Sequence, residues 1–257
     1  MKKNNVPIFI VSLKKDIERR NIITRSLLEQ NLSWTMVDAV EGNELSHNYL
    51  NSLNLKYNKP SHPNEVACSL SHQSIYKKII DSDVEWAIIL EDDAIIDSPL
   101  SDFIHELERG KTSQLKKNHI YLLGGQEGLN SRTRLSLSFF NKTKISNVTF
   151  RKVTYKPSKL FRTCCYLIHR DECKKLTDLF ADAYYVADSW DLFYKLNKVK
   201  GYFLAEVIKH PILNVENSNI ERYRINKNNS RRKKGFIESK ISLFFLQIRR
   251  FFRSLKY

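Results

Sequence analysis

Residues 6–13 read VPIFIVSL, an unbroken apolar run rich in β-branched side chains. Such a run has no polar face to offer water, so it is expected as a strand covered on both sides. Residues 14–31 follow with Ile17, Ile23, Leu27 and Leu28 on one arc of about 140° at the helical step, which predicts a helix. Residues 33–40 (SWTMVDAV) read as a second strand carrying Asp38 near its end. Parallel strands need a crossover between them, so this strand–helix–strand opening predicts a parallel sheet. The chain of 257 residues suffices for one α/β domain with a buried core.

Residues 42–63 have little periodicity and read as a surface excursion. Residues 70–82 predict a helix with His72 at its start and His72, Ile75, Tyr76 and Ile79 on one face. Residues 86–90 (WAIIL) predict a buried strand. Ser98 and Pro99 then give an N-cap and first-turn proline to a helix whose apolar face is Leu100, Phe103, Ile104 and Leu107. Strands are expected at 119–123, 163–169 and 201–207, and helices at 170–180 and 188–196. Residues 126–160 are polar and irregular, with a strand-like piece at 148–153. The expected body is therefore one domain over residues 1–220, with a mostly parallel central sheet flanked by helices.

The sharpest chemical signal is the end of the third strand, where Leu90 is followed by Glu91, Asp92 and Asp93. Ligands of open α/β sheets bind outside the carboxyl ends of the strands. Three adjacent carboxylates repel, which calls for a cation; Mn²⁺ or Mg²⁺ fits, sharing carboxylates with substrate phosphates. Alternate residues of an extended segment point the same way, so Glu91 and Asp93 are expected to share the ion. Asp92 would then face a ribose hydroxyl or a structural donor. A solvated acidic turn is the alternative.

Asp188 and Asp191 share a helix face at a spacing of three. Asp188 suits either a helix N-cap or a base that takes a proton from an attacking hydroxyl. Trp190 suits sugar stacking or core packing. His72 is a candidate phosphate contact or a satisfied half-buried histidine, and His210 a candidate third metal ligand. No Walker loop, dinucleotide glycine fingerprint, zinc spacing or Ser-His-Asp motif occurs.

The formal net charge of +15 is concentrated at one end. Residues 222–257 carry a net +11 and the other 221 residues only +4. Within that tail, residues 239–255 (SKISLFFLQIRRFFRSL) place Ile241, Phe244, Phe245, Ile248, Phe251, Phe252 and Leu255 on one side and basic residues opposite. This is the pattern of an amphipathic helix on an anionic membrane surface, or of one docked on the body. The longest nearly apolar stretch, 241–248, is far short of the roughly 18 residues a membrane span needs. Lys2 and Lys3 precede an apolar run that is short and lacks a cleavage site, so it is read as a strand rather than a leader. Cys68, Cys164, Cys165 and Cys173 form no C-x-x-C pair and are expected as reduced thiols in a cytoplasmic protein.

Four blocks, in order, resemble glycosyltransferase family 25, the bacterial lipooligosaccharide β-galactosyltransferases. They are IFIVSL at 8–13 with Glu18, Arg19 and Arg20; VDAVEG at 37–42; NEVACSLSH at 64–72; and IILEDD at 88–93. The third block departs from the family pattern, with Asn64 and Ala67 where glycines are usual. The resemblance implies a GT-A-like fold, a nucleotide-sugar donor (typically UDP-galactose), a divalent cation and inversion at the anomeric carbon. It implies donor contacts at Ser12, Leu13, Arg20, Asp38, Ala39, Ser71, His72 and Asp92. The implied metal ligands are Glu91 and Asp93, with His210 added, and Asp188 and Asp191 lie where the family carries later acids. The implied acceptor is a lipooligosaccharide glycan, which places the protein on the cytoplasmic face of the membrane through its tail, with no nucleic-acid partner. Two other readings fit parts of the sequence: a metal-dependent nucleotidyltransferase or phosphohydrolase using the same acids, and an RNA-binding protein led by the basic run 231–234.

Overall fold

The computed structural model describes residues 5–96, 99–126, 135–155, 157–210, 249 and 251–255. Nine strands form one sheet: β1 (Ile8–Ser12), β2 (Trp34–Asp38), β3 (Trp86–Glu91), β4 (Ile95–Ile96), β5 (His119–Gly124), β6 (Ser136–Ile145), β7 (Val148–Tyr155), β8 (Cys165–His169) and β9 (Gly201–Lys209). Their order is β2-β1-β3-β8-β5-β9-β7-β6, with β4 pairing β9 off this path. The helices are α1 (Ile17–Glu29), α2 (His47–Ser52), α3 (Pro63–Asp81), α4 (Pro99–Glu108), α5 (Arg170–Asp182) and α6 (Trp190–Lys195).

The opening behaves as its pattern requires. β1 pairs in parallel with β2 on one side and β3 on the other. The strands β2, β1, β3, β5, β9 and β6 run one way, and β8 is inserted antiparallel between β3 and β5. Strand alternation divides the core into two layers. Ile8, Ile10, Ile88, Leu90, Leu167 and Phe203 face one side, covered by Ile23 and Leu27 of α1 and by all four apolar-face residues of α4. Phe9, Val11, Ile89, Tyr166, Ile168 and Leu204 face the other, covered by α3, α5 and α6.

Several boundaries differ from expectation. Ile17 and Leu28 are each 64% exposed, so the buried stripe of α1 is Ile23 and Leu27 alone. Helix α3 begins at Pro63, not near residue 70, because His62 caps it, accepting from Asn64 N, and Pro63 supplies the fixed first-turn φ. His72 is therefore the tenth residue of the helix. The excursion before it contains α2, capped by Ser46. The segment read as irregular contains a β-hairpin, β6–β7, whose ladder shifts register twice. Those bulges blur the period-2 pattern that marks a strand. The caps expected at Ser98 and most of the tail lie outside the described residues. Within the tail, residue 249 and residues 251–254 are helical, and the Phe251 ring meets Phe139 of β6 with centroids 6.2 Å apart. Among the described residues no helix is long and apolar enough to cross a membrane.

Candidate functional site

The carboxyl ends of β1 and β3 lie side by side and open onto a cleft of about 680 Å³. Its walls include Ser12, Leu13 and Arg19 after β1, Ala39–Asn43 after β2, the first turns of α3, the three acids after β3, and Arg162, Thr163, Asp188 and His210.

Two sheet features bring distant residues to this spot. The antiparallel β8 starts where β3 ends, and Glu91 N donates to Cys164 O at 2.7 Å. The approach to β8 therefore runs beside the acids, and the Thr163 hydroxyl donates to Glu91 Oε1. Arg162 (φ 71°) and Cys164 (φ 24°) adopt left-handed backbone there, a conformation non-glycine residues take only when their surroundings hold them. Asp188 supplies part of that hold, accepting from Arg162 N at 2.7 Å. Gly125 makes room on the far side, since a Cβ there would lie 2.8 Å from Cys164 Cβ. The second feature is the pairing of β4 with the end of β9, Ile95 opposite Lys209. It sets His210 beside Asp93, Nε2 to Oδ2 3.2 Å.

The three acids have separate surroundings. Asp92 accepts from Ser12 Oγ at 2.6 Å and from Arg19 at 3.2 Å, tying β3 to β1; this is the structural-donor role. Its burial pushes the carboxyl pKa up. Burial acts the same way on Asp93, but the hydrogen bond and charge of His210, with Arg19 and Arg162, outweigh it and hold that carboxyl low. The Asp93 Oδ1 atom is buried without a hydrogen-bond partner among the described residues. Glu91 does not share Asp93's partner. Its Oε1 takes the Thr163 hydroxyl and lies 3.5 Å from His72 Nε2.

A divalent cation fits Asp93 and His210. Asp93 offers a buried carboxylate oxygen that no described residue satisfies, and a buried polar atom left unpaired costs about 1–3 kcal/mol. Carboxylate oxygen suits both Mg²⁺ and Mn²⁺.

The other expected donor residues divide into two groups. Ser12, Leu13, Ala39, Ser71 and Asp92 line the cleft. Ser71 is already engaged, donating to Ala67 O at 2.7 Å and accepting from Val40 N at 2.9 Å. Arg20 and Asp38 do not line it. Arg20 braces the end of β1, donating to Ser12 O, Leu13 O and Asp38 Oδ1 at 2.7, 3.0 and 2.6 Å. His72 is 1% exposed, stands behind Glu91 and does not itself line the cleft. Asp191 also lies off the cleft, paired with Lys195 one turn on at 2.5 Å. The cap of α6 is Ser189, so Asp188 is not spent as an N-cap and faces the cleft. Trp190 is core, fully buried against Tyr166 and Tyr202.

Sequence reasoning missed Arg19, Arg162, Thr163 and Cys68. Arg19 stands inside the first motif block, one position from the arginine that was chosen. Arg162 and Thr163 carry no motif, and only the β8 insertion brings them in. The lost glycines of the third block also have a structural counterpart. Gly42 meets Asn64 directly: a Cβ on residue 42 would sit 2.7 Å from Asn64 N. The close backbone approach is thus made from the Gly42 side.

The model of glycosyltransferase family 25 (LPS biosynthesis protein) matches residues 5–190, well over half of the chain. Procollagen galactosyltransferase 2 of Homo sapiens is 34% identical over 95 residues, covering 34% of this chain and 15% of that protein. The probable inactive glycosyltransferase 25 family member 3 of Bos taurus is 29% identical over 125 residues, 45% of this chain and 21% of that protein. The chain thus spans a small part of these relatives. A crystal structure of a glycosyltransferase involved in glycosylation of the major capsid of PBCV-1 overlays with a TM-score of 0.41 at 10% identity, covering 86% of this chain and 98% of that one. The four motif blocks all fall inside the matched stretch, and the chain belongs to glycosyltransferase family 25.

Proposed function

We propose that this protein transfers a hexose, galactose from UDP-galactose, with inversion onto a hydroxyl of a lipooligosaccharide or LPS glycan. The observation that carries the reading is the cleft at the carboxyl ends of β1 and β3, where Asp93 pairs with His210 and keeps one buried oxygen without a hydrogen-bond partner among the described residues. Family membership supports sugar transfer. The relatives' names supply galactose, and the family description supplies the LPS acceptor.

Asp93 and His210 would hold Mn²⁺ or Mg²⁺. Such an ion supplies charge neutralisation of the diphosphate leaving group. Ser12, Leu13 and Ala39 line the donor side, with Asp92 and Arg19 fixing the two strand ends that carry them. Arg19 and Arg162 add positive charge at the cleft wall, where diphosphate oxygens gain from it. Asp188 takes the proton from the acceptor hydroxyl as that oxygen attacks the anomeric carbon. Attack from the face opposite the diphosphate inverts the centre in one displacement, with no covalent enzyme intermediate. The basic tail, residues 221–257, sets the protein on an anionic membrane surface at the cytoplasmic face, where a lipid-linked acceptor lies.

The test is UDP release by the full chain from a panel of UDP-sugars, with and without Mn²⁺ and without acceptor. Cation-dependent release, fastest with UDP-galactose, is expected. Release from none of the sugars contradicts the donor class.

A further inference from the structure

Cys68 and His72 stand one helical turn apart on α3, and Glu91 ends β3 beside them. Their ligand atoms (Sγ, an imidazole nitrogen and a carboxylate oxygen) all lie within 4.8 Å of one another. His72 is almost fully buried. Its Nδ1 is fixed by the Tyr166 hydroxyl at 2.8 Å, which Tyr76 holds in turn at 2.9 Å. Its Nε2 is buried without a hydrogen-bond partner among the described residues, and it faces Glu91 Oε1 at 3.5 Å. Cys68 and Glu91 both line the cleft, which gives an ion a way in and a coordination position open to water.

We propose that Cys68, His72 and Glu91 form a site for a divalent cation of the Zn²⁺ class, separate from the Asp93–His210 pair. Thiolate, imidazole and one carboxylate select zinc or cobalt rather than magnesium, and three protein ligands plus an open position is the arrangement of an accessible zinc site. Tetrahedral zinc with bonds of about 2.0–2.3 Å sets its ligands roughly 3.3–3.6 Å apart. His72 and Glu91 already stand at that separation, and rotation about the Cys68 side chain closes the rest. The surroundings match as well. Tyr166 holds the second ring nitrogen of His72 and Thr163 holds the Glu91 carboxylate, the outer contacts that orient metal ligands. Binding deprotonates the Cys68 thiol and releases one proton to water. The site stands independently of the glycosyl-transfer reading.

Co²⁺ alone, titrated into the full chain under reducing, metal-free conditions, tests this. One equivalent is expected to raise a near-ultraviolet thiolate-to-cobalt charge-transfer band together with tetrahedral visible bands, both erased by one equivalent of Zn²⁺. Cys68 is only partly buried, and Cys68→Ser, which keeps the side chain's shape, should abolish the charge-transfer band. Tyr166→Phe, which keeps the ring, should weaken Co²⁺ binding about 10- to 100-fold. The Asp93–His210 pair contains no thiol, so Asp93→Ala should leave the band in place. A wild-type titration without the band overturns the proposal, and so does a band that survives Cys68→Ser.

Discussion

Asp93 turns one oxygen to His210 and buries the other without a hydrogen-bond partner among the described residues, which makes this carboxylate the centre of the site. Asp93→Ala should therefore remove cation-dependent UDP release, which UDP appearance with and without Mn²⁺ measures directly. Asp188 has a separable role. Asp188→Asn keeps an acceptor for Arg162 N but cannot take a proton, so turnover should fall about 10²–10⁴-fold while UDP affinity, read by calorimetry, stays nearly constant. Loss of UDP binding instead would move Asp188 to the donor side. A third residue tests the fold. Glu172 is fully buried, its Oε2 has no hydrogen-bond partner among the described residues, and burial raises its pKa to about 7 despite Lys175 at 2.9 Å. The folded state then holds a proton that the unfolded chain releases above about pH 4.5, so Glu172 lowers stability progressively as pH rises from there to about 7. Glu172→Gln removes that dependence. Denaturant melts should show the variant gaining roughly 1–3 kcal/mol on the wild type between pH 5 and pH 8. At this scale the sequence was informative where chemistry is local: an apolar strand running into Glu91–Asp93 marks a strand-end site. It was blind to Arg162 and Thr163, whose place depends on β8 pairing with β3, some 75 residues away in sequence.

Among the elements, the βαβ opening and the strand at 86–90 were readable because each is a continuous apolar run with one outcome. The start of α3 was not, because its cap is a histidine and its first turn lacks an apolar stripe. The hairpin β6–β7 was hidden by its bulges, and β4 by its two-residue length. That short strand nevertheless matters, since its pairing with β9 delivers His210. The contact of Gly42 with Asn64 sets how closely α3 approaches the loop after β2. Gly42→Ala places a methyl against the Asn64 backbone, and overpacking of this kind costs about 1–3 kcal/mol. Thermal melts should show that loss, with weaker UDP binding because the α3 wall moves outward. Unchanged melting and binding would show that the approach is not tight.

For the whole molecule, one sheet gathers six co-directional strands among the described residues, and the cleft sits at the ends of two that neighbour each other. The charge asymmetry belongs to this scale as well, with a nearly balanced body and a net +11 over residues 222–257. Co-sedimentation with vesicles containing anionic lipid should be strong at low salt, fall as salt rises, and vanish for residues 1–220 alone. A tail-deleted protein that still co-sediments would place the membrane contact on the body. On the proposed function, the acids ending β3 should bind a nucleoside diphosphate together with a divalent ion. Calorimetric titration of UDP into the full chain, with Mn²⁺ and after its removal by chelation, addresses it most directly. Binding that requires the ion and weakens at least about tenfold in Asp93→Ala is expected. Equal UDP affinity with and without Mn²⁺, or no UDP binding at all, would contradict it.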